Sequence, residues 1–193
     1  RLHRDGVPLR EQAVLYRTHA QSRVIEEACL RHGLAYRIYG GLKFYARKEV
    51  KDVLAYLRIL QNPADAVSML RILNAPPRRI GETTMERLKE AADARHWTLW
   101  EALQSIDEIQ DINEPTKERI RHFTDLLTSL IAASESCTVA DLTEKLLARA
   151  GFERWLDDGT EEGEQRWGNV QELLTVMHRY EALSPRESLQ SFL

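Results

Sequence analysis

From Val50 onward the apolar residues recur at helical spacing, and almost every run closes on proline, glycine or a capping residue. A chain written this way folds into a stack of short helices. Val50, Val53, Leu54, Leu57 and Leu60 make the first stripe, which Asn62-Pro63 stops. Val67, Leu70, Ile72 and Leu73 continue the period until Pro76-Pro77 forces a break. Thr83 with Glu86 three residues on has the form of a capping box, opening a helix through Leu88, Ala91 and Ala92. Further helices are expected over 99–105, 115–133, 139–150, 165–182 and 185–193, with Gly151 as a helix stop and Ser184, Pro185 and Glu187 as a helix start. Upstream the period differs. Residues 12–17 and 36–39 read as short buried strands around a helix whose apolar face is Val24, Ile25, Ala28 and Cys29, with Gly33 at its C-terminal cap. That is one βαβ-like unit, whose strands need neighbours to be stable. The expected fold is mainly α, with a small N-terminal βαβ piece.

The 193 residues are 43% hydrophobic and 30% charged, enough for a real core without disulfide staples. No apolar stretch approaches membrane-spanning length, and no basic-apolar leader opens the chain. Two cysteines, Cys29 and Cys137, sit far apart without a partner motif, which suggests a reducing, cytoplasmic setting. The net charge of −3 hides an asymmetry: residues 1–79 carry 15 basic against 7 acidic side chains, and residues 80–193 carry 12 against 23. A basic first part on an acidic body suits one face meant for a polyanion. Helix faces that merely differ in solvated charge are the plainer reading.

No G-x-x-x-x-G-K-[ST] phosphate loop occurs, and Gly40-Gly41-Leu42-Lys43 lacks its spacing and hydroxyl, so the chain alone is not expected to hydrolyse a nucleotide. Cys29 and His32 have ligand spacing but no second pair completes a metal site. Asp157, Asp158, Glu161 and Glu162 surround glycines and read as a solvated loop. No catalytic grouping and no metal site are expected. The segment from Leu70 to Thr84 is different, because it reads as helix, rigid turn, glycine, helix. A glycine just before a helix lets backbone N–H groups approach an anion, and the helix dipole favours a phosphate there. Arg78 and Arg79 add charge at that corner, which is how a helix-hairpin-helix grips a DNA backbone without reading sequence. A plain turn with two exposed arginines is the alternative.

Four blocks then resemble the UvrD/PcrA/Rep family of superfamily 1 DNA helicases. Ala13-Val14-Leu15-Tyr16-Arg17-Thr18-His19-Ala20-Gln21-Ser22-Arg23 resembles its A-V-L-Y-R-x-N-A-Q-S-R segment. Tyr36 to Asp52 resembles its Y-G-G-x-[KR]-F-[FY]-x-R-x-E-[IV]-K-D block. Leu70-Arg71-Ile72-Leu73-Asn74 with Pro77-Arg78-Arg79-Ile80-Gly81 resembles its L-R-I-[IL]-N-x-P-x-R-G-I-G turn, and Arg166 with Asn169-Val170-Gln171-Glu172-Leu173 resembles its R-x-x-N-[ILV]-x-E-L block.

The resemblance implies a piece of a 3′-to-5′ ATP-dependent DNA helicase. Residues 1–39 would be the end part of a RecA-like motor subdomain 2A, and residues 40–193 most of an inserted helical subdomain 2B. The family's nucleotide-binding motifs would lie upstream, and its T-x-H-x-x-K-G-L-E segment is absent here. ATP and Mg²⁺ are thus implied for the intact parent and no cofactor for this piece. The implied partners are DNA at the single-strand/duplex junction, the other helicase subdomains and accessory repair or replication proteins. By position, Arg17 and His19 would meet single-stranded backbone, and Arg78, Arg79, Ile80, Gly81 and Thr84 would form the turn on duplex DNA. Tyr39, Gly40 and Gly41 would be the hinge, with Arg47 free to pair with Glu49 or Asp52. Two positions depart from the pattern: His19 replaces an asparagine, and Arg79 stands where the family has glycine. If that position needs φ > 0, arginine there is strained. A protein-interaction or self-association module is the alternative function, suited by the acidic remainder and by Trp97, Trp100, Trp155 and Trp167.

Overall fold

The computed structural model describes residues 7–17, 21–39, 41 and 43–193; His19 and Gly40 of the expected site lie outside the described residues. The chain divides into two compact units, Arg1–Phe44 and Tyr45–Leu193.

In the first unit a 3-10 turn, Leu9–Glu11, precedes helix α1, Ser22–Arg31. Gly33 ends α1 as expected: it sits at φ +64°, and the Leu34 N–H reaches back to the Cys29 carbonyl at 2.8 Å. The two expected strands are not formed, for among the described residues no strand is present and 12–17 and 36–39 run without ladder partners. The physical reason is visible in their side chains. Val14 is 65% exposed, Leu15 94% and Tyr39 85%, so these apolar positions have no sheet neighbour to bury them. The apolar face expected on α1 fares likewise. Val24 is exposed, and the buried residues are the polar Ser22, Arg23 and Glu26. Glu26 is buried because it is satisfied, accepting from Ser22 Oγ at 2.9 Å, Tyr36 OH at 3.1 Å and the Phe44 N–H at 3.1 Å.

The second unit is helical throughout. In order it holds α2 (Lys48–Gln61), α3 (Ala66–Ile72), α4 (Glu82–Arg95), α5 (Leu99–Gln104), α6 (Glu114–Ser134), α7 (Val139–Ala150), α8 (Phe152–Leu156), α9 (Glu161–Met177) and α10 (Pro185–Phe192). Each start has a local cause. Asp65 accepts from the Val67 and Ser68 N–H groups to open α3, and Asn113, Thr138 and Thr160 cap α6, α7 and α9 in the same way. The capping box falls at Thr98–Glu101, opening α5. It does not fall at Thr83–Glu86, because α4 has already begun at Glu82 with Gly81 as its N-cap. Gly151 ends α7 at φ +71°.

Helix α2 is the hub, packed by α3, α6, α9 and α10. Its Val50, Val53, Tyr56 and Leu57 are fully buried, and the Tyr56 ring meets Phe152 edge-on at 5.7 Å. Polar contacts fix the register of this packing. Arg71 of α3 pairs with buried Asp52 at 2.8 Å, and Arg47 donates from Nη1 to Asn169 Oδ1 at 2.6 Å. Burial pushes the Asp52 carboxyl up from its usual range, outweighing the opposing pull of Arg71. Among the described residues no helix is long and apolar enough to cross a membrane, and no group of three or more His, Cys, Asp or Glu side chains could hold a metal ion.

Candidate nucleic-acid interface

The turn between α3 and α4 is shaped by one side chain. Asn74 donates from Nδ2 to the Ile80 carbonyl at 2.6 Å, and its Oδ1 accepts the Arg78 and Ile80 N–H groups at 3.2 Å each. Ile80, 3% exposed, inserts into the core and pins the turn from below. The result is a closed loop whose next residues, Gly81, Glu82 and Thr83, open α4. Thr84 and Met85 are the first residues to donate, both to the Gly81 carbonyl, at 3.1 and 3.2 Å. Gly81 supplies no side-chain cap, and the three amides of Gly81, Glu82 and Thr83 have no acceptor among the described residues.

Gly81 itself is informative. Its backbone is extended, φ −73° and ψ 166°, a conformation any residue adopts. A Cβ built there would meet nothing within 4 Å. The fold therefore does not require glycine at this position. What a missing side chain leaves open is the approach to the α4 N-terminus from outside.

The two arginines of the turn have opposite fates. Arg78 turns inward: Nη1 donates to the carbonyls of Ile72, Leu73 and Pro76 at 2.9, 3.1 and 3.1 Å, and Nη2 to Tyr56 OH at 2.6 Å. Its guanidinium also lies 4.6 Å from the Phe123 ring centre. Tyr56 OH in turn donates to the Ala75 carbonyl at 2.7 Å. Burial pushes that phenol up to about 12, against the pull of Arg78, so it stays protonated and able to donate. Arg78 thus closes the C-terminal end of α3, supplying a donor to the Leu73 carbonyl and a further one to the Ile72 carbonyl, which also accepts from the Ala75 N–H at 3.1 Å.

Arg79 is exposed and sits at φ +57°, the left-handed region that the glycine of the pattern would occupy freely. Replacing Arg79 by glycine is expected to raise stability by about 0.5–1 kcal/mol, the left-handed penalty less the added chain entropy. Urea denaturation of the two proteins checks this; a glycine variant that unfolds at lower urea would refute the strain.

Arg79 opens onto a shallow groove of about 430 Å³ that it lines with Arg119 and His122 of α6 and Arg149 in the last turn of α7. Among the described residues no carboxylate lines it. Arg119 donates from Nη1 to the Arg79 carbonyl at 3.4 Å. Sequence reading missed Arg119, His122 and Arg149. The acidic balance after residue 79 concealed them, though the i, i+3 spacing of Arg119 and His122 was there to be seen.

The expected site residues therefore divide. Arg79 and Gly81 are exposed at the corner, and Thr84 lies half-buried one turn into α4. Arg78 and Ile80 hold the corner's shape from within. Arg17 belongs to the first unit, exposed, its N–H donating to Gln21 Oε1 at 3.0 Å. Tyr39 and Gly41 are exposed in the same unit.

Residues 1–193 match the family described as UvrD-like helicase C-terminal domain. The ATP-dependent DNA helicase PcrA of Bacillus subtilis (strain 168) is 37% identical over 194 residues, which cover 100% of this chain and 26% of that protein. The protein of the same name from Staphylococcus aureus (strain Mu50) is 36% identical over 193 residues, 98% of this chain and again 26% of the relative. The chain thus spans about a quarter of the length of the curated relatives it matches. With a match across its whole length and relatives at this identity, the chain belongs to the UvrD-like helicase C-terminal domain family.

Proposed function

We propose that this chain is the part of a 3′-to-5′ ATP-dependent DNA helicase that holds DNA at the single-strand/duplex junction. In this reading residues 1–39 are the end part of motor subdomain 2A and residues 40–193 most of the helical subdomain 2B. Duplex backbone lies against the α4 corner, where Gly81 and its two following amides meet a phosphate, with Arg79 and Thr84 beside it. Arg17 and His19 face single-stranded backbone, and the pivot is Tyr39–Gly41. Work is done in the cytoplasm, with the other helicase subdomains and accessory proteins as partners.

The sequence has no phosphate loop, and the described residues include no cluster of metal-capable side chains. ATP hydrolysis is accordingly assigned to the remainder of the parent, and this chain contributes grip and its regulation.

The observation that carries the reading is Gly81, a glycine the fold does not need, at a helix end whose first amides have no acceptor among the described residues. The test substitutes Gly81→Asp. Aspartate is a good N-cap and favours the helix dipole, so thermal stability should hold or rise by about 0.5 kcal/mol. The same carboxylate occupies the phosphate position, so binding to a duplex with a single-stranded tail should weaken about tenfold or more at low salt. Binding equal to the parent chain in a stable Gly81→Asp variant would overturn the reading. Arg79→Glu should weaken binding in the same direction without loss of stability. Arg78→Glu is no clean test, because it unpicks the end of α3.

A further inference from the structure

We propose that the groove beside the corner holds a second stretch of sugar–phosphate backbone, so that the DNA grip runs from the start of α4 across α6 to the end of α7. The inference rests on the reading that the corner itself meets DNA, and it adds residues on two further helices.

Three observations support it. The first is charge without counter-charge. On the same unit Arg95 pairs with Glu108 at 2.9 Å, Arg121 with Asp107 at 2.7 Å, and Arg166 with Asp158 at 3.0 Å. Among the described residues the guanidinium groups of Arg79 and Arg149 have no carboxylate partner, and Arg119 bonds only a carbonyl. Like charges gathered this way on an otherwise acidic body repel one another until an anion neutralises them. The second is continuity. Arg79 belongs to both the corner and the groove, so a strand lying on one passes directly to the other. The third is Arg79 itself, which holds a left-handed backbone where glycine would be unstrained, and in doing so adds a cation to the groove's rim. An open, shallow groove leaves a small free anion largely hydrated, whereas a polyanion gains from every contact along its length. Because the contacts are guanidinium to phosphate, no base preference is expected.

The experiment compares the full chain with the double variant Arg119→Gln/Arg149→Gln. The ligand is a DNA duplex carrying a single-stranded 3′ tail, titrated from 50 to 200 mM KCl. Each lost phosphate contact removes about 0.9 from the slope of log affinity on log salt, so the variant's slope should fall by about 2, and its affinity loss across this range should be roughly tenfold smaller. Arg119→Lys/Arg149→Lys should keep most of the slope, because charge and not fork geometry is what counterion release senses. Melting temperatures should match, since both side chains sit at the surface; each single glutamine variant, lowering the slope by about 1, repeats the test if the double variant melts early. An unchanged slope in the glutamine variants, with Gly81→Asp still weakening binding, overturns the groove and leaves the corner standing. Unchanged binding in all of them overturns both.

Discussion

Replacing Arg78 by alanine is expected to cost about 3 kcal/mol of stability and lower the melting temperature by about 10 °C. The guanidinium donates to the Ile72 and Leu73 carbonyls at the end of α3, to the Pro76 carbonyl of the turn and to Tyr56 OH, and it covers Phe123. Without it the Leu73 carbonyl loses its donor and the Ile72 carbonyl one of its donors in a region water reaches poorly, and Phe123 loses the cation over its face. Lysine should restore less than half, because a single ammonium cannot span carbonyls and a phenol at once. The neighbouring side chain supplies the control. Arg79 makes no such contacts, so Arg79→Ala should leave the melting temperature within a few degrees of the parent while weakening DNA binding. Two adjacent arginines are thereby separated, one by calorimetry and one by titration. An Arg78→Ala protein that melts with the parent would mean the latch contributes nothing.

That contrast also marks where the sequence stops being readable. The helices of the second unit were legible because apolar stripes and their punctuation are local signals: Asn62-Pro63, Gly151 and Ser184-Pro185 all fall where helices end or begin. The location of the corner was legible for the same reason, and so was the conditional strain at Arg79, since φ at that position is positive. The inward turn of Arg78 was not, because it depends on Tyr56 and Phe123, 22 residues before it and 45 after it in the chain. The groove was hidden too, since its cations come from three separate segments and whole-segment charge sums averaged them away. The strand expectation at 12–17 failed for a further reason. Pattern gives a segment's preference, but a strand also needs a partner, and none lies beside it among the described residues.

The second large effect is expected at Asn169. Its Oδ1 accepts from Arg47 Nη1 and its Nδ2 donates to Glu49 Oε1, each at 2.6 Å. Arg47, Glu49 and Asn169 are 6%, 6% and 4% exposed, so this carboxamide bridges two buried charges between the start of α2 and the middle of α9. Asn169→Leu keeps the volume and removes both bonds, leaving a guanidinium and a carboxylate each short of a partner inside the core. The expected loss is about 3 kcal/mol, read from denaturant midpoints. Glu49→Gln in the leucine background should cost much less than Glu49→Gln alone, since the bond it would disturb is already gone; strictly additive losses would show that the three do not act as a unit. Arg47 and Glu49 sit in one of the sequence blocks that resemble the helicase family, and Asn169 in another, some 120 residues apart. Asp52 of the first block meets Arg71 of a third in the same way. The residues that make the family recognisable here are thus, in good part, those that lock α2 to its neighbours, and that rigid hub is what holds the α4 corner and its groove in a fixed geometry.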